Sequence, residues 1–487
     1  MKLLLINPAS KVTEGSRKLK AFLSPIPPLG LAYIAAVLER EGIDVKIIDQ
    51  VASRTSNKLL LKKIKESSPD LVGFSCLTSV MSNVAELGLE IRKFSRAKIV
   101  LGNIHPTIFA GQILAQGAAD FIVRGEGDAT MAELAKAIKD NSGFTHIQGI
   151  SYRQGKDIFH NEERPLIGDL DTLPYPAWHL LELKDYRDSP MILIDREPVV
   201  PIAGSRGCAY KCSFCAQDAV YPLPRYRKTE AVIAELEYFH SKFNIRNFGF
   251  VDANFPFSIN SGKEFCNALI RSGLHKKIRW ATETRVDLVN EELLALMKKA
   301  GVHLIMFGFE SGNRLVMDSV NKRIPAAQSL KIAGITRKLK VHTLGLFILG
   351  LPGETRQSCA ATIKFAKDLD CDIAKFNIAV PYPGSKFFRE FYKGGLLDTD
   401  RFTPWHDWSD SREGPVYVPP GLKARELVGL QRKAMFEFYA RPKKFISLLI
   451  LQRKSIFKIL YGAYILTSKY FAYLFFKYTS RLFAIQH

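Results

Sequence analysis

Three cysteines fall within eight residues of one another in the segment GCAYKCSFC at 207–215: Cys208, Cys212 and Cys215. The other four, Cys76, Cys266, Cys359 and Cys371, are scattered and read as small core residues. Thiolates are soft ligands suited to an iron–sulfur cluster or to zinc. A structural zinc site normally takes four protein ligands, and the C-x3-C-x2-C spacing supplies three. Three ligands leave one iron of a four-iron cluster open to a further molecule, an arrangement for chemistry as well as electron transfer. Tyr210 and Tyr221, beside the cysteines, read as packing residues or as relays for a proton or hydrogen atom.

The elements that must position this loop follow from periodicity. Apolar runs at 2–7, 44–48, 70–75, 97–101 and 120–123 alternate with helix-like stretches at 29–41, 56–66, 80–94 and 129–139. Buried strands alternating with helices indicate a parallel, doubly wound sheet whose ligands sit at the carboxyl ends of the strands. Residues 141–195 carry polar turns and the Pro-rich LPYPAW, and read as a linker with short strands. Alternation resumes with strand candidates at 198–204, 247–252, 278–283, 303–309, 343–349 and 374–380. Six strand–helix units suggest a partial or full (β/α) barrel, with its active site at the carboxyl ends of the strands. The cysteines directly follow the first of these strands. The fold class is therefore α/β, with domains at 1–140 (Rossmann-like), 141–195 (linker), 196–400 (barrel) and 401–487 (a helical basic region).

Other strand-end segments carry polar groups and glycines: VDANF (251–255), WATETR (280–285), FGFESG (307–312) and GLFILGLPGET (345–355). With the cysteine loop and Phe214, they resemble the radical S-adenosylmethionine superfamily. In that family the open iron chelates the methionine moiety, and one electron breaks a sulfur–carbon bond to give a 5′-deoxyadenosyl radical that abstracts hydrogen from the substrate. The resemblance implies a 4Fe–4S cluster on Cys208, Cys212 and Cys215, and S-adenosylmethionine contacts from Phe214, Glu283, Arg285, Glu310, Ser311 and Gly350. It also implies an electron donor such as flavodoxin or ferredoxin.

The first domain lacks a G-x-G-x-x-G fingerprint after its first strand, which disfavours a nicotinamide cofactor. Its loops PIPPLGLAY (25–33), GFSCLTS (73–79), GNIHPT (102–107) and RGEGD (124–128) are similar to the cobalamin-binding domain of one large radical subfamily. That group includes methyltransferases acting on unactivated carbon and the anaerobic cyclase of bacteriochlorophyll synthesis. By this resemblance Ser75, Thr78, Gly102, His105, Gly125, Glu126 and Gly127 lie near cobalamin. The D-x-H-x-x-G motif that supplies a lower histidine ligand elsewhere is absent, so the cobalt would be base-off.

A net charge of +21 calls for an anionic partner. From Phe438 to His487 there are nine Lys or Arg and no Asp or Glu, interleaved with aromatics. The most apolar stretch, 459–476, contains Lys469, so helices lying in an anionic membrane interface fit better than a spanning one. No RNA-binding domain is visible, and nucleic acid is disfavoured. The short apolar run before Asn7-Pro8 reads as a strand, not a signal peptide. Together these imply a cytoplasmic enzyme, peripheral on the inner face of the membrane, with a small hydrophobic substrate. Methylation is the leading expectation. The rivals are a radical cyclase or rearrangement enzyme acting on a lipid or tetrapyrrole, and a non-catalytic cobalamin or iron–sulfur sensor.

Overall fold

A computed structural model describes residues 1–14, 25–186, 197–394, 414–444 and 446. Most of the basic tail lies outside these residues. The chain divides into two compact units. One holds 1–189, 197–248 and 381–410; the other holds 190–196, 249–380 and 411–487.

The first unit is built on a seven-stranded sheet. Its strands are β1 (Lys2–Asn7), β2 (Asp44–Asp49), β3 (Leu71–Ser75), β4 (Lys98–Gly102), β5 (Phe121–Val123), β6 (Ile150–Gln154) and β7 (Asp157–His160), in the order β2-β1-β3-β4-β5-β6-β7. The first five are parallel, as their apolar runs predict. Leu3, Leu4, Leu5 and Ile6 are all buried, which requires cover on both faces. Helix α1 (Leu29–Arg40) provides part of it, burying Leu31, Ala35 and Leu38. Helices α2 (Asn57–Ser67), α3 (Met81–Arg92) and α4 (Gly127–Lys139) complete the alternation.

The sheet is not wholly parallel. β6 and β7 form an antiparallel hairpin that continues it beyond β5. Its two-residue loop begins at Gly155, whose φ of +64° suits a tight hairpin turn. Polar residues on this edge hairpin weaken the apolar signal that marks the central strands.

From residue 197 come β8 (Val199–Ile202), a two-stranded ribbon of β9 (Ser205–Arg206) and β10 (Arg225–Tyr226), helix α5 (Thr229–Phe243) and β11 (Asn247–Phe250). Beyond them, strands β12 (Arg279–Thr284), β13 (Val302–Glu310), β14 (His342–Leu349) and β15 (Ile373–Ile378) alternate with helices α6 (Ile259–Arg271), α7 (Glu291–Lys299) and α8 (Ala326–Lys338). The second sheet runs β15-β14-β13-β12-β11-β8, an open six-stranded array whose order is that of the chain. The pairs β12–β13, β13–β14 and β14–β15 are parallel.

One face of β13–β15 is aromatic. Phe347 stacks on Phe309 and Phe376, Phe309 meets Phe365, and Phe376 meets Phe438. Phe365 belongs to helix α9 (Arg356–Leu369) and Phe438 to helix α11 (Ala424–Tyr439). Helix α11 also closes the outer edge of β15. The Tyr439 hydroxyl accepts the Ala374 N–H and donates to its carbonyl, and Gln431 donates to the Phe376 carbonyl. An exposed strand edge is thereby satisfied by side chains. The described part of the basic carboxyl-terminal region contains this helix.

Candidate active site

The cysteine loop, 207–224, is closed at its base by the β9–β10 ribbon, where Arg206 and Arg225 stand opposite each other. Gly207 has φ +90°, and a side chain there would run into the Leu223 carbonyl. Only glycine fits that turn. Inside the loop Lys211 pairs with Asp218 at 3.0 Å and donates to the Pro222 carbonyl. The Ser213 carbonyl accepts the Phe387 N–H at 2.7 Å. Phe387 belongs to helix α10 (Lys386–Lys393), so a late segment holds the middle of the loop. Phe214 is half-buried.

The three thiols share one neighbourhood. The Tyr210 N–H points at Cys208 Sγ at 3.4 Å. Although part of Cys215 is open to solvent, the protein packed around it raises its thiol pKa. The fields of Cys212 and Cys208 push it further the same way. Three thiolates this close repel one another, and iron would relieve that repulsion. Among the described residues no three His, Cys, Asp or Glu side chains are gathered tightly enough to hold a single ion. A four-iron cube differs from a single ion in taking each thiolate on a separate iron.

At the carboxyl ends of β3, β4 and β5, three loops are tied to one another. Asn103, at φ +89°, caps the turn Ile104–Ile108 and donates to Ser75 Oγ at 3.0 Å. His105 is fully buried, its Nδ1 3.1 Å from Thr78 Oγ1 and its ring against Phe109. The Gly125 N–H donates to Thr107 Oγ1 at 3.3 Å. Gly125 takes φ +69° with open space where a side chain would stand, and Gly127 packs against Ile34. The order β2-β1-β3 places a topological switch point at this edge, where such sheets bind ligands.

Glu126 behaves differently from its neighbours. Its carboxylate accepts from Arg206 at 2.9 Å, from Arg225 at 2.6 Å and from the Ile167 N–H at 2.8 Å. Burial opposes ionisation, but the two guanidiniums win and hold its pKa below the usual carboxylate range. Asp128 takes a forked bond from Arg206 at 2.8 and 3.1 Å.

In the second unit, register sorts the inward residues. Glu283 pairs with Met306 and Met306 with Leu344; Gly308 pairs with Leu346 and Leu346 with Lys375. These share the face opposite the aromatic one. Glu283, Met306 and Leu346 are half-buried there and Lys375 is exposed. Burial raises the Glu283 pKa, and Glu310 raises it further. Glu310 ends β13 at φ +57°, a strained conformation for a non-glycine residue, and pairs with buried Lys322 at 2.6 Å. Ser311 bonds Thr362 at 2.9 Å. Arg285 forks onto Asp287 at 2.9 and 2.8 Å. Gly350, at φ +86°, has Leu427 2.7 Å from where its Cβ would lie, and Glu354 accepts both its N–H and that of Leu351.

The structure thus joins Ser75, Thr78, Gly102, His105, Gly125, Glu126 and Gly127 at one sheet edge, and Cys208, Cys212, Phe214 and Cys215 in one loop. Glu283, Arg285, Glu310, Ser311 and Gly350 lie at or just beyond the ends of β12, β13 and β14. The sequence reading missed Asn103, Asp128, Arg206, Arg225 and Lys322. An arginine on each side of the cysteine loop was the available signal for two of them.

Comparison with known proteins places this geometry. Residues 19–135 match the B12 binding domain and residues 202–366 match the Radical SAM superfamily. An uncharacterised methyltransferase of Pyrococcus horikoshii is 34% identical over 452 residues, covering 92% of this chain and 94% of that protein. The chain belongs to the cobalamin-binding-domain radical S-adenosylmethionine family. The anaerobic magnesium-protoporphyrin IX monomethyl ester cyclase of Cereibacter sphaeroides is 30% identical over 75% of this chain, which spans 60% of that longer relative. In fold, the chain is similar to the radical S-adenosylmethionine methyltransferase TsrM from Kitasatospora setae, solved with cobalamin and a 4Fe–4S cluster bound. The TM-score is 0.68 at 18% identity, over 90% of this chain and 88% of that one.

Membership in this family makes the chain a radical enzyme using a 4Fe–4S cluster, S-adenosylmethionine and cobalamin. The residues present fit these groups. Clustered thiols with an N–H aimed at one sulfur suit iron, and an open glycine cradle at a switch point suits a large ligand.

Proposed function

We propose that the chain methylates an unactivated carbon of a small hydrophobic metabolite. The observation that carries this reading is the pairing, in one chain, of the three-cysteine loop with a glycine-lined strand-end cradle. When bound, the cluster and S-adenosylmethionine supply a radical able to remove hydrogen, and cobalamin supplies a transferable methyl group.

The protein's own part is to hold and to shield. Cys208, Cys212 and Cys215 hold iron. Phe214, Glu283, Arg285, Glu310, Ser311 and Gly350 are the candidates for S-adenosylmethionine. Ser75, Thr78, Gly102, His105, Gly125, Glu126 and Gly127 are the candidates for cobalamin. Met306, Leu346 and Ile348 offer apolar surface to the substrate. A flavodoxin or ferredoxin would deliver the electron. The basic aromatic tail supports a cytoplasmic protein resting on an anionic membrane, where hydrophobic substrates collect. No helix among the described residues is long and apolar enough to cross a membrane.

Cyclisation is the second reading, favoured by the similarity to the cyclase. The deciding experiment uses oxygen-free protein reconstituted with iron and sulfide, then given dithionite and methyl-labelled S-adenosylmethionine with candidate lipids and tetrapyrroles. The expected result is 5′-deoxyadenosine together with label in the product. Unlabelled cyclised product would favour the cyclase. Absence of 5′-deoxyadenosine from reconstituted wild type, matching the Cys208→Ala/Cys212→Ala/Cys215→Ala control, would sink both readings.

A further inference from the structure

Three of the segments that define this family meet at one buried side chain. Arg206, at the base of the cysteine loop, forks onto Asp128, donates to Glu126, and lies 5.3 Å from the centre of the Tyr33 ring. Arg225, opposite Arg206 across the ribbon, donates to the other oxygen of Glu126 and to the Ile167 carbonyl. The four charged side chains are nearly enclosed, with relative exposures of 11% for Arg206, 12% for Arg225, 3% for Glu126 and 7% for Asp128. Glu126 sits between Gly125 and Gly127 in the loop that closes the β5 edge of the cradle, and Asp128 lies in the first turn of α4. The clamp that closes the cluster loop is therefore continuous with one wall of the cobalamin cradle.

We propose that Arg206, with Arg225, Glu126 and Asp128, is a positioning device that couples cluster loading to cobalamin binding. The inference rests on the two-cofactor reading above. Iron ties Cys208, Cys212 and Cys215 together and fixes the loop. A fixed loop holds both arginines in register, and the arginines hold the 125–128 turn in the shape that receives cobalamin. A buried network of this kind shifts as a unit, because one guanidinium cannot leave without stranding a carboxylate. By linkage the effect is reciprocal: cobalamin must favour cluster retention by the same factor.

The test is a titration of hydroxocobalamin into the full chain, with the cluster reconstituted and again after iron removal by a chelator. Quenching of intrinsic fluorescence reports binding. Wild type is expected to bind more tightly with the cluster, by roughly fivefold or more, the lower range of typical couplings. In Arg206→Lys, which keeps the charge but loses the fork, the ratio should fall toward one while the loaded protein still binds hydroxocobalamin. Asp128→Asn serves as the second variant should Arg206→Lys fold poorly. A residue that only props up the fold would lower stability and leave the ratio unchanged. Equal affinity in both wild-type states, or a full ratio in both variants, would overturn the coupling while leaving the two-cofactor reading intact. No hydroxocobalamin binding at all by wild type would overturn both.

Discussion

At the carboxyl ends of β3–β5 polar side chains are partnered with one another: Asn103 with Ser75, His105 with Thr78, Glu126 with two arginines. At the ends of β12–β15 the pattern is uneven. Glu310 has Lys322 at 2.6 Å, whereas for half-buried Glu283 burial and the charge of Glu310 outweigh the opposing fields of Lys322 and Lys375. The two acids diverge accordingly, with Glu126 driven below the usual range by its arginines and Glu283 driven above it by burial and a like charge. A satisfied network fixes one shape, as a cradle for a large cofactor needs. A half-buried acid held back from ionising costs stability and is kept where chemistry or substrate needs it.

Substitution can break this contrast. Glu126→Ala should cost the most, about 3–5 kcal/mol, because it strands two buried guanidiniums; urea unfolding at neutral pH checks it. The milder Glu126→Gln gives the sign. Its deficit should be present above the ordinary carboxylate value of 4.5 and shrink as pH falls through the lowered native value. Loss that is independent of pH would mean that packing, not charge, matters there.

Glu354 tests the opposite sign. Burial pushes its carboxyl up from 4.5 to about 7. The stability it contributes is complete below 4.5 and is lost as pH rises through about 7. Relative to Glu354→Gln, wild type should weaken between those limits by on the order of 2–3 kcal/mol, read from paired unfolding curves.

Glu283→Gln should be stability-neutral or mildly stabilising at neutral pH while abolishing 5′-deoxyadenosine formation. A clear fall in melting temperature would show that its charge supports the fold. The smallest effect belongs to the exposed pair Lys364–Asp368 on α9. Lys364→Ala should change stability by less than about 0.5 kcal/mol, giving the baseline against which both regions are judged.

Much of this was legible beforehand. Apolar runs announce a central strand wherever both faces are covered, which is why β1 to β5 and the six strands of the second sheet stand close to where periodicity puts them. The hairpin β6–β7 shows in the sequence only as short strands in a linker, because polar residues on an edge do not declare which sheet they extend. The cysteine loop was legible because its three thiols are local, within eight residues of chain. Gly125, Glu126 and Gly127 were legible only as a cluster.

By itself, then, the sequence determined the α/β class, the order of the two sheets and the gathering of Cys208, Cys212 and Cys215 in one loop, since each is written in short-range spacing. Tertiary structure alone decided that Glu126 faces Arg206 and Arg225, 80 and 99 residues away, and that His105 is enclosed against Thr78. It also decided that Lys375 shares a face with Glu283. Charge pairing across such separations depends on which strand edges meet, and no local pattern encodes that.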